Sequence, residues 1–249
     1  MTVQNGTLSP AIRRIIPLLE MSSGQIDIRG GYIDALGNAP MRSAGRAQSL
    51  WLNRYGAVVY DQLMNPLGRV LIPYTRKVPE RLSLERGTTV LDLGCGPGNI
   101  TCTLAKAVGS GGLVVGVDLS DKMLARAVAR SSPTNTGYLR ANAERLPIRD
   151  ASVDAANSSI MLQLVDDAGS VIDQLHRVVR PGGLVTLSVT TTGHGVSRRL
   201  TPYLGAVATA RIFEPEELST LLADRGFSII ATRTIKFLQF VDARRSQTA

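Results

Sequence analysis

The sequence predicts an α/β fold in which a mostly parallel sheet carries helices on both faces. From residue 87 onward, short apolar runs alternate with segments whose apolar residues recur at helical spacing. The apolar runs are nearly continuous, as in strands that are buried on both faces. A glycine-rich turn follows the first run, and an acidic residue ends the second. Alternation of strands and helices in this order favours a parallel sheet.

Each element follows from its own pattern. The strands are predicted in chain order at 88–93, 113–117, 136–140, 153–158 and 184–189, with a closing pair at 227–232 and 235–241. The helices between them are predicted at 100–108, 121–131, 168–179 and 214–226. Arg180-Pro181-Gly182-Gly183 is predicted as the turn that closes the third of these helices. Ligands of such sheets bind outside the carboxyl ends of the strands, which places a ligand site at the loop 94–98.

The part of the chain before residue 87 has a different character. Residues 1–45 are predicted as an N-terminal arm that is flexible or acts as a lid, with a short helix starting at Ser9-Pro10. Pro17 is expected to shorten that helix. Residues 46–86 are predicted as a helical lid segment, and residues 87–249 as the ligand-binding domain.

Composition limits the class of protein. The chain has 249 residues, 44% of them hydrophobic, which suits one medium domain with a short accessory segment. The formal net charge is +8, and residues 1–86 carry eleven Lys/Arg against six Asp/Glu. Because the arginines are scattered singly, a solvated surface is favoured over a site for nucleic acid, an anionic membrane surface or an acidic substrate. The two cysteines are expected to be free thiols, as in a reducing compartment. The sequence has no apolar stretch long enough to span a membrane and no recognisable secretory signal, so a cytoplasmic protein is predicted. No metal site is predicted.

The turn after the first strand has the properties of a ligand-binding loop. Glycine permits the sharp turn from strand to helix and lets a ligand approach the backbone. The helix that starts at Gly98-Asn99 offers N–H groups and the positive end of its dipole, which suit a carboxylate. Asp118 ends the second strand, where an acidic side chain can accept both hydroxyls of a ribose. Together these features predict a nucleoside site.

The glycine spacing distinguishes between nucleosides. The dinucleotide pattern G-x-G-x-x-G is not matched, because Asn99 occupies the third glycine position. The string VLDLGCGPG at 90–98 instead resembles the first motif of class I S-adenosylmethionine-dependent methyltransferases. Residues 114–124 resemble the family's ribose-binding strand end, and 142–147 resemble its third motif with Asn142 in place of the usual Asp. The resemblance covers residues 87–241 and implies a Rossmann-like seven-stranded sheet, an N-terminal helical lid and S-adenosylmethionine as the cofactor.

The resemblance also implies roles for individual residues. The cofactor-binding residues that it implies are Asp92, Gly94, Cys95, Gly96, Gly98, Asp118, Leu119, Met123, Asn142, Ala143, Glu144 and Asn157. The glycines and Cys95 would cradle the methionine part, and Asp118 would hold the ribose. Residues 119, 123 and 142–144 would border the adenine. Asp92 would stand near the methionine amino group or brace the loop.

Candidate acceptor-side residues come from two segments. Residues 53–65 resemble a lid segment of the ubiquinone/menaquinone methyltransferase-like subgroup, in which Tyr55 or Tyr60 would face the sulfonium or simply pack at helical spacing. The second segment follows the fifth strand and contains Arg198, Arg199, Tyr203 and Arg211. These residues would either meet an anionic group of the acceptor or be solvated. His194 follows the fifth strand and is the candidate general base, with an exposed loop histidine as the alternative.

The implied reaction is methyl transfer to a small-molecule acceptor, with O- or C-methylation of a hydrophobic or phenolic, quinone-like molecule preferred. An RNA methyltransferase is the first alternative, favoured by the net charge. Against it, residues 157–160 read NSSI rather than Asn/Asp-Pro-Pro-aromatic, and aromatic residues make up only 4% of the chain. A non-catalytic protein that keeps the cofactor pocket is the second alternative, and a nicotinamide-dependent oxidoreductase is disfavoured. A homodimer is a candidate assembly.

Overall fold

The computed structural model describes residues 2–3, 8–21, 26–37, 76–130, 133–192 and 211–247. Within them, one sheet has the strand order β1-β2-β3-β6-β5-β4-β7-β8-β10-β9. The strands are β1 (Thr2–Val3), β2 (Asp27–Arg29), β3 (Tyr32–Asp34), β4 (Thr89–Leu93), β5 (Leu113–Asp118), β6 (Thr136–Arg140), β7 (Val153–Ser159), β8 (Val179–Thr190), β9 (Phe227–Ile235) and β10 (Leu238–Arg245). The α-helices are α1 (Pro10–Ile15), α2 (Val78–Arg81), α3 (Asn99–Val108), α4 (Asp121–Ala129), α5 (Ala168–Val178) and α6 (Glu217–Ala223).

The seven strands predicted from the sequence are β4 to β10, and their fold class is confirmed. Strands β6, β5, β4, β7 and β8 are parallel neighbours, whereas β10 runs antiparallel to both β8 and β9. The strand order reverses at β4, because β5 lies on one side of it and β7 on the other. This is the switch point at which open α/β sheets bind ligands.

The sequence predicted that the turn Arg180–Gly183 separates helix α5 from the next strand, and this prediction is wrong. Strand β8 already begins at Val179, and its pairing with β7 is interrupted: Val153 pairs with Val179, but Ala155 pairs with Leu184. The extra residues therefore loop out inside the strand. Glycine permits this bend, because Gly182 has φ +77° and a Cβ at residue 183 would lie 2.6 Å from the Asp154 carbonyl oxygen.

The N-terminal helix forms as predicted and packs onto the sheet. Ser9 caps α1 by accepting the Ile12 N–H, and the α-helix ends at Ile15, where a 3-10 turn containing Pro17 follows. Ile12, Ile15 and Leu19 are buried in the main core. Strand β6 carries Gly137 below α1, where a Cβ would overlap the Ile15 side chain. The glycine therefore allows the close approach of helix and sheet.

Three short strands extend the sheet beyond the seven predicted. The β2–β3 hairpin joins the edge of β6, with Ile33 in register with Leu139 in a parallel pair. Its turn contains Gly30 and Gly31, both at positive φ. The described part of residues 8–37 thus packs in the sheet and its core. The sequence-based division of the chain at residue 87 stays a prediction.

The predicted lid segment falls largely outside the described residues. Of residues 46–86, the structure describes 76–86, which contain α2. Arg81 of this helix forms an ion pair with Asp242 of β10 at 2.8 Å and lies over the Phe240 ring. Residues 38–75, with Tyr55 and Tyr60, lie outside the described part. Among the described helices, none has the length and apolar character to cross a membrane.

Candidate functional site

The loop between β4 and α3 is built on left-handed backbone. Gly94, Gly96 and Gly98 have φ values of +74°, +52° and +77°. Such values are unfavourable for residues with a Cβ, which explains the glycines in the motif. The N–H groups of Gly94 and Cys95 both donate to the Val117 carbonyl, at 2.8 and 2.9 Å. The end of β5 therefore holds the loop at the carboxyl edge of the sheet.

Asp118 ties the same loop to the end of β5. Its two carboxylate oxygens accept the N–H groups of Gly96 and Ser120, each at 2.8 Å. Burial raises the pKa of Asp118, and the backbone hydrogen bonds to Ser120 and Gly96 oppose this rise. The side chain is half-buried. A carboxylate has about four lone-pair sites, so these two bonds leave acceptor capacity for the hydroxyls of a ribose.

The N-terminus of α3 lies next to this carboxylate and has no side-chain cap. Gly98 is its N-cap residue and contributes no side chain. By contrast, Ser120 and Asp167 cap α4 and α5 with side-chain oxygens. An uncapped helix start presents backbone donors and a partial positive charge. It therefore suits a carboxylate such as that of a methionine moiety.

Asp92 lies below the loop in a closed polar network. The residue is 1% exposed, and its two oxygens accept the Thr101 hydroxyl at 2.5 Å and the Asn157 amide at 2.7 Å. Ser159 in turn donates to the Asn157 oxygen at 3.2 Å. The network links β4, α3 and β7. Of the two roles considered for Asp92, this arrangement favours bracing the loop.

Burial is the main cause that raises the pKa of Asp92 to about 6, while the hydrogen bonds from Thr101 and Asn157 oppose the rise. From pH 4 to pH 6 the unfolded chain releases this proton before the folded one does. The contribution of Asp92 to the free energy of unfolding therefore falls across that window and stays constant above it.

We expect Asp92→Asn to be more stable than the wild type at pH 7, because the neutral amide can pair with both Thr101 and Asn157. The rise in the pKa of Asp92 from 3.8 to about 6 corresponds to about 3 kcal/mol. Urea unfolding between pH 3.5 and 8 measures the difference, which should disappear at the acidic end. An equal difference at all pH values would contradict the assigned titration. Unchanged cofactor affinity in this variant would favour bracing over direct contact.

The adenine-side residues follow β5 and β6. Asn142 uses its side-chain oxygen to accept the Glu144 N–H at 2.9 Å, and Glu144 accepts the Asp167 N–H at 3.1 Å. The side-chain oxygen of Asn142 is thus used in a local turn, and Glu144 links this loop to the start of α5. Leu119 is half-buried, and Met123 is buried.

Two further residues of the predicted set are partly explained by packing. Ala143 is half-buried against the main core. The Cys95 thiol is buried among Tyr32, Leu124, Ala127 and Tyr138, so only the Cys95 backbone can face a ligand in the loop. Neither Cys95 nor Cys102 forms a disulfide.

A loop after β7 was expected from the sequence, but the conformation of its first corner was not. Ile160 has φ +56°, a strained conformation for a β-branched residue, and its N–H donates to the Ser188 carbonyl at 2.8 Å. The next residue, Met161, lies where a Cβ on Gly94 would be. The corner therefore brings an apolar side chain against the glycine loop. No sequence pattern announces a positive φ at isoleucine.

The acceptor-side prediction can be followed only in part. His194, Arg198, Arg199 and Tyr203 lie outside the described residues. Arg211 forms an ion pair with Glu217 and stacks over the Phe213 ring at 4.7 Å.

Gln163 was missed by sequence reasoning and lies in this region. It is buried, donates to the Thr190 hydroxyl at 2.9 Å and accepts the Thr190 N–H at 3.1 Å. It joins the loop after β7 to the end of β8. In the described ranges, no cluster of three or more His, Cys, Asp or Glu side chains could hold a metal ion.

The known proteins that are similar to this chain include methyltransferases. The family described as "Methyltransferase domain" matches residues 91–187. A malonyl-[acyl-carrier protein] O-methyltransferase of Pseudescherichia vulneris is 38% identical over 113 residues, covering 45% of this chain and 43% of the relative. A demethylmenaquinone methyltransferase of Shouchella clausii is 36% identical over 109 residues, covering 43% and 46% of the two chains.

A solved structure shows the same fold. The S-adenosylmethionine dependent methyltransferase from Mesorhizobium loti superposes with a TM-score of 0.58 at 25% identity, over 70% of this chain and 96% of that chain. The chain spans about half the length of the curated relatives it matches. The glycine loop, the acidic end of β5 and the strand order agree with these similarities: residues 91–187 match the methyltransferase domain, and the fold is that of the class I S-adenosylmethionine-dependent methyltransferases.

Proposed function

We propose that this chain transfers the methyl group of S-adenosylmethionine to a small-molecule acceptor. The observation that carries the proposal is the placement of the Asp118 carboxylate beside the uncapped start of α3, at the ends of neighbouring strands. The Asp118 carboxylate suits the hydroxyls of a ribose, and the start of α3 suits a carboxylate. S-adenosylmethionine carries a ribose and a carboxylate in one molecule.

The residues present fit this cofactor. Glycines at 94, 96 and 98 leave three positions of the loop without a side chain, and Asp118 and the N–H groups of α3 would hold the ribose and the carboxylate. When bound, the cofactor supplies an activated methyl group on a sulfonium. The protein's part is then to align the acceptor and exclude water. The rigid links at Asp92 and Val117 suit that task, since they hold the loop in one position.

The acceptor proposed is hydrophobic or phenolic and quinone-like, methylated on oxygen or carbon. The names of the two curated relatives support this range, one being an O-methyltransferase for malonyl-[acyl-carrier protein] and the other a demethylmenaquinone methyltransferase. The half-buried, apolar Met161 beside the glycine loop is compatible with such a molecule. Tyr55, Tyr60, Arg198, Arg199 and Tyr203 stay proposed lid and acceptor residues. The cytoplasmic location and a homodimer also stay predictions.

Calorimetric titration with S-adenosylmethionine and S-adenosylhomocysteine tests the proposal, with NADH as the control. Saturable binding of the first two ligands without binding of NADH is the expected result. Absence of binding to both would contradict it. Binding without release of S-adenosylhomocysteine in the presence of any phenolic, quinone-like or acyl acceptor would favour the non-catalytic alternative.

His194 stays the proposed general base for an acceptor that must lose a proton. We expect His194→Ala to lower kcat by about 10²- to 10⁴-fold and to leave the cofactor Kd unchanged. His176→Gln is the matched control, because the His176 ring packs edge-on against Phe227 at 5.5 Å within the α5 layer. An unchanged kcat in His194→Ala would remove His194 from the mechanism.

A further inference from the structure

The N-terminal hairpin brings a charged residue to the cofactor edge of the sheet. Asp34, at the end of β3, is in register with Arg140 at the end of β6. Arg140 is in turn in register with Asp118 at the end of β5. Side chains of residues in register on neighbouring strands point to the same face. The three charged residues therefore form a row along the edge where a ribose would bind.

The Arg140 side chain connects the hairpin to the backbone next to Asp118. Its Nη1 donates to Asp34 Oδ2 at 3.1 Å and to the Gly37 carbonyl at 3.3 Å, and its Nε donates to the Leu119 carbonyl at 3.3 Å. Asp34 also accepts the N–H groups of Leu36 and Gly37, each at 3.0 Å. Asp34 is 3% exposed, so its charge depends on these partners.

A second contact leads from the same hairpin to the glycine loop. The Tyr32 ring shares a small apolar cluster with Cys95, Leu124, Ala127 and Tyr138. The ring of Tyr138 also lies below Gly98, where a Cβ would stand 2.7 Å from its hydroxyl oxygen. The hairpin thus supports the glycine loop by packing, and it supports the Leu119 backbone indirectly, because Asp34 binds the Arg140 side chain that donates to the Leu119 carbonyl.

We propose that this hairpin positions the adenosine half of the cofactor site. Arg140 is the positioning residue: it fixes the Leu119 carbonyl, and thereby the backbone that presents the Asp118 carboxylate. Asp34 orients the Arg140 guanidinium. Because Ser120 also donates to Asp118, a shift at Leu119 would move both the carboxylate and one of its two backbone donors. The inference rests on the proposed function, since it assumes that the ribose binds at Asp118.

The test compares Arg140→Met with the double variant Asp34→Asn/Arg140→Met. The single change leaves a buried carboxylate without its cation, so the melting temperature should fall. The double change removes both charges and should restore most of the melting temperature. It does not restore the hydrogen bond to Leu119, so the Kd for S-adenosylhomocysteine should stay at least about tenfold above the wild-type value. Recovery of both quantities together would show that the pair only balances charge, and would overturn the proposal.

Two further arms make the result specific. Methylthioadenosine shares the adenosine part but lacks the carboxylate, so its Kd should rise by a similar factor; a loss confined to S-adenosylhomocysteine would overturn the proposal. The control variant is Arg29→Met, which removes the exposed Arg29–Asp27 ion pair of 2.6 Å in the same hairpin and should leave both Kd values unchanged. If the wild type bound neither ligand, the proposed function itself would fail, which this design separates from failure of the hairpin's role.

Discussion

Replacement of Asp118 by alanine is expected to weaken S-adenosylmethionine binding at least about 100-fold, because two charge-assisted hydrogen bonds to the ribose hydroxyls are lost. The loss of the carboxylate also frees the N–H groups of Gly96 and Ser120, which it accepts in the folded protein. The loop would then be less well ordered before the cofactor binds. Calorimetric Kd values for wild type and variant measure the effect, with circular dichroism as the check on folding.

Asp154→Ala is the matched control for Asp118→Ala. Asp154 is the second residue of β7, at the amino ends of the parallel strands, where it accepts the Thr89 N–H at 2.7 Å and pairs with Arg180. Removal of the Asp154 carboxylate also leaves a backbone N–H without its acceptor, but at a position far from the proposed cofactor site. We expect an unchanged cofactor Kd in this variant. Comparable affinity losses in Asp118→Ala and Asp154→Ala would contradict a ribose contact and indicate general destabilisation.

The second large effect is expected at Gly94. Alanine there would adopt a φ near +74° and would place its Cβ inside the Met161 side chain. Left-handed backbone costs about 1–2 kcal/mol for a residue with a Cβ, and overpacking costs a further 1–3 kcal/mol. Because the loop must shift to relieve the overlap, cofactor affinity should fall by about 100-fold. Thermal unfolding and calorimetry measure the two consequences.

Gly87→Ala separates backbone strain from overlap. Gly87 lies just before β4, with φ +92° and no atom within 4 Å of a built Cβ. The Gly87→Ala variant should therefore lose only the free energy of left-handed backbone strain and should keep the wild-type cofactor Kd. In the double variant Gly94→Ala/Met161→Ala the overlap is removed, and part of the affinity should return. If Gly94→Ala bound the cofactor as tightly as Gly87→Ala, the loop would not be the cradle that we propose.

Local chain chemistry was sufficient to predict much of this protein. The buried strands β4 and β5 are short, nearly continuous apolar runs, and the cap at Ser9 and the stop near Pro17 follow from the chemistry of those two residues. The glycine loop was recognisable because its left-handed residues tolerate almost no substitution for glycine. Asp118 was recognisable because it ends a strand at a fixed distance from that loop.

Long-range contacts decided the rest. The hairpin around Gly30-Gly31 has too few residues for a periodic pattern, and only its pairing with β6 makes it part of the sheet. Whether Asp92 faces the ligand or braces the loop depends on Thr101 and Asn157, which the fold brings to its two oxygens. The link from Asp34 through Arg140 to Leu119 joins three separate strand ends. Sequence patterns report the local preference of a segment, whereas the partners of a buried charge are determined by which strands lie side by side.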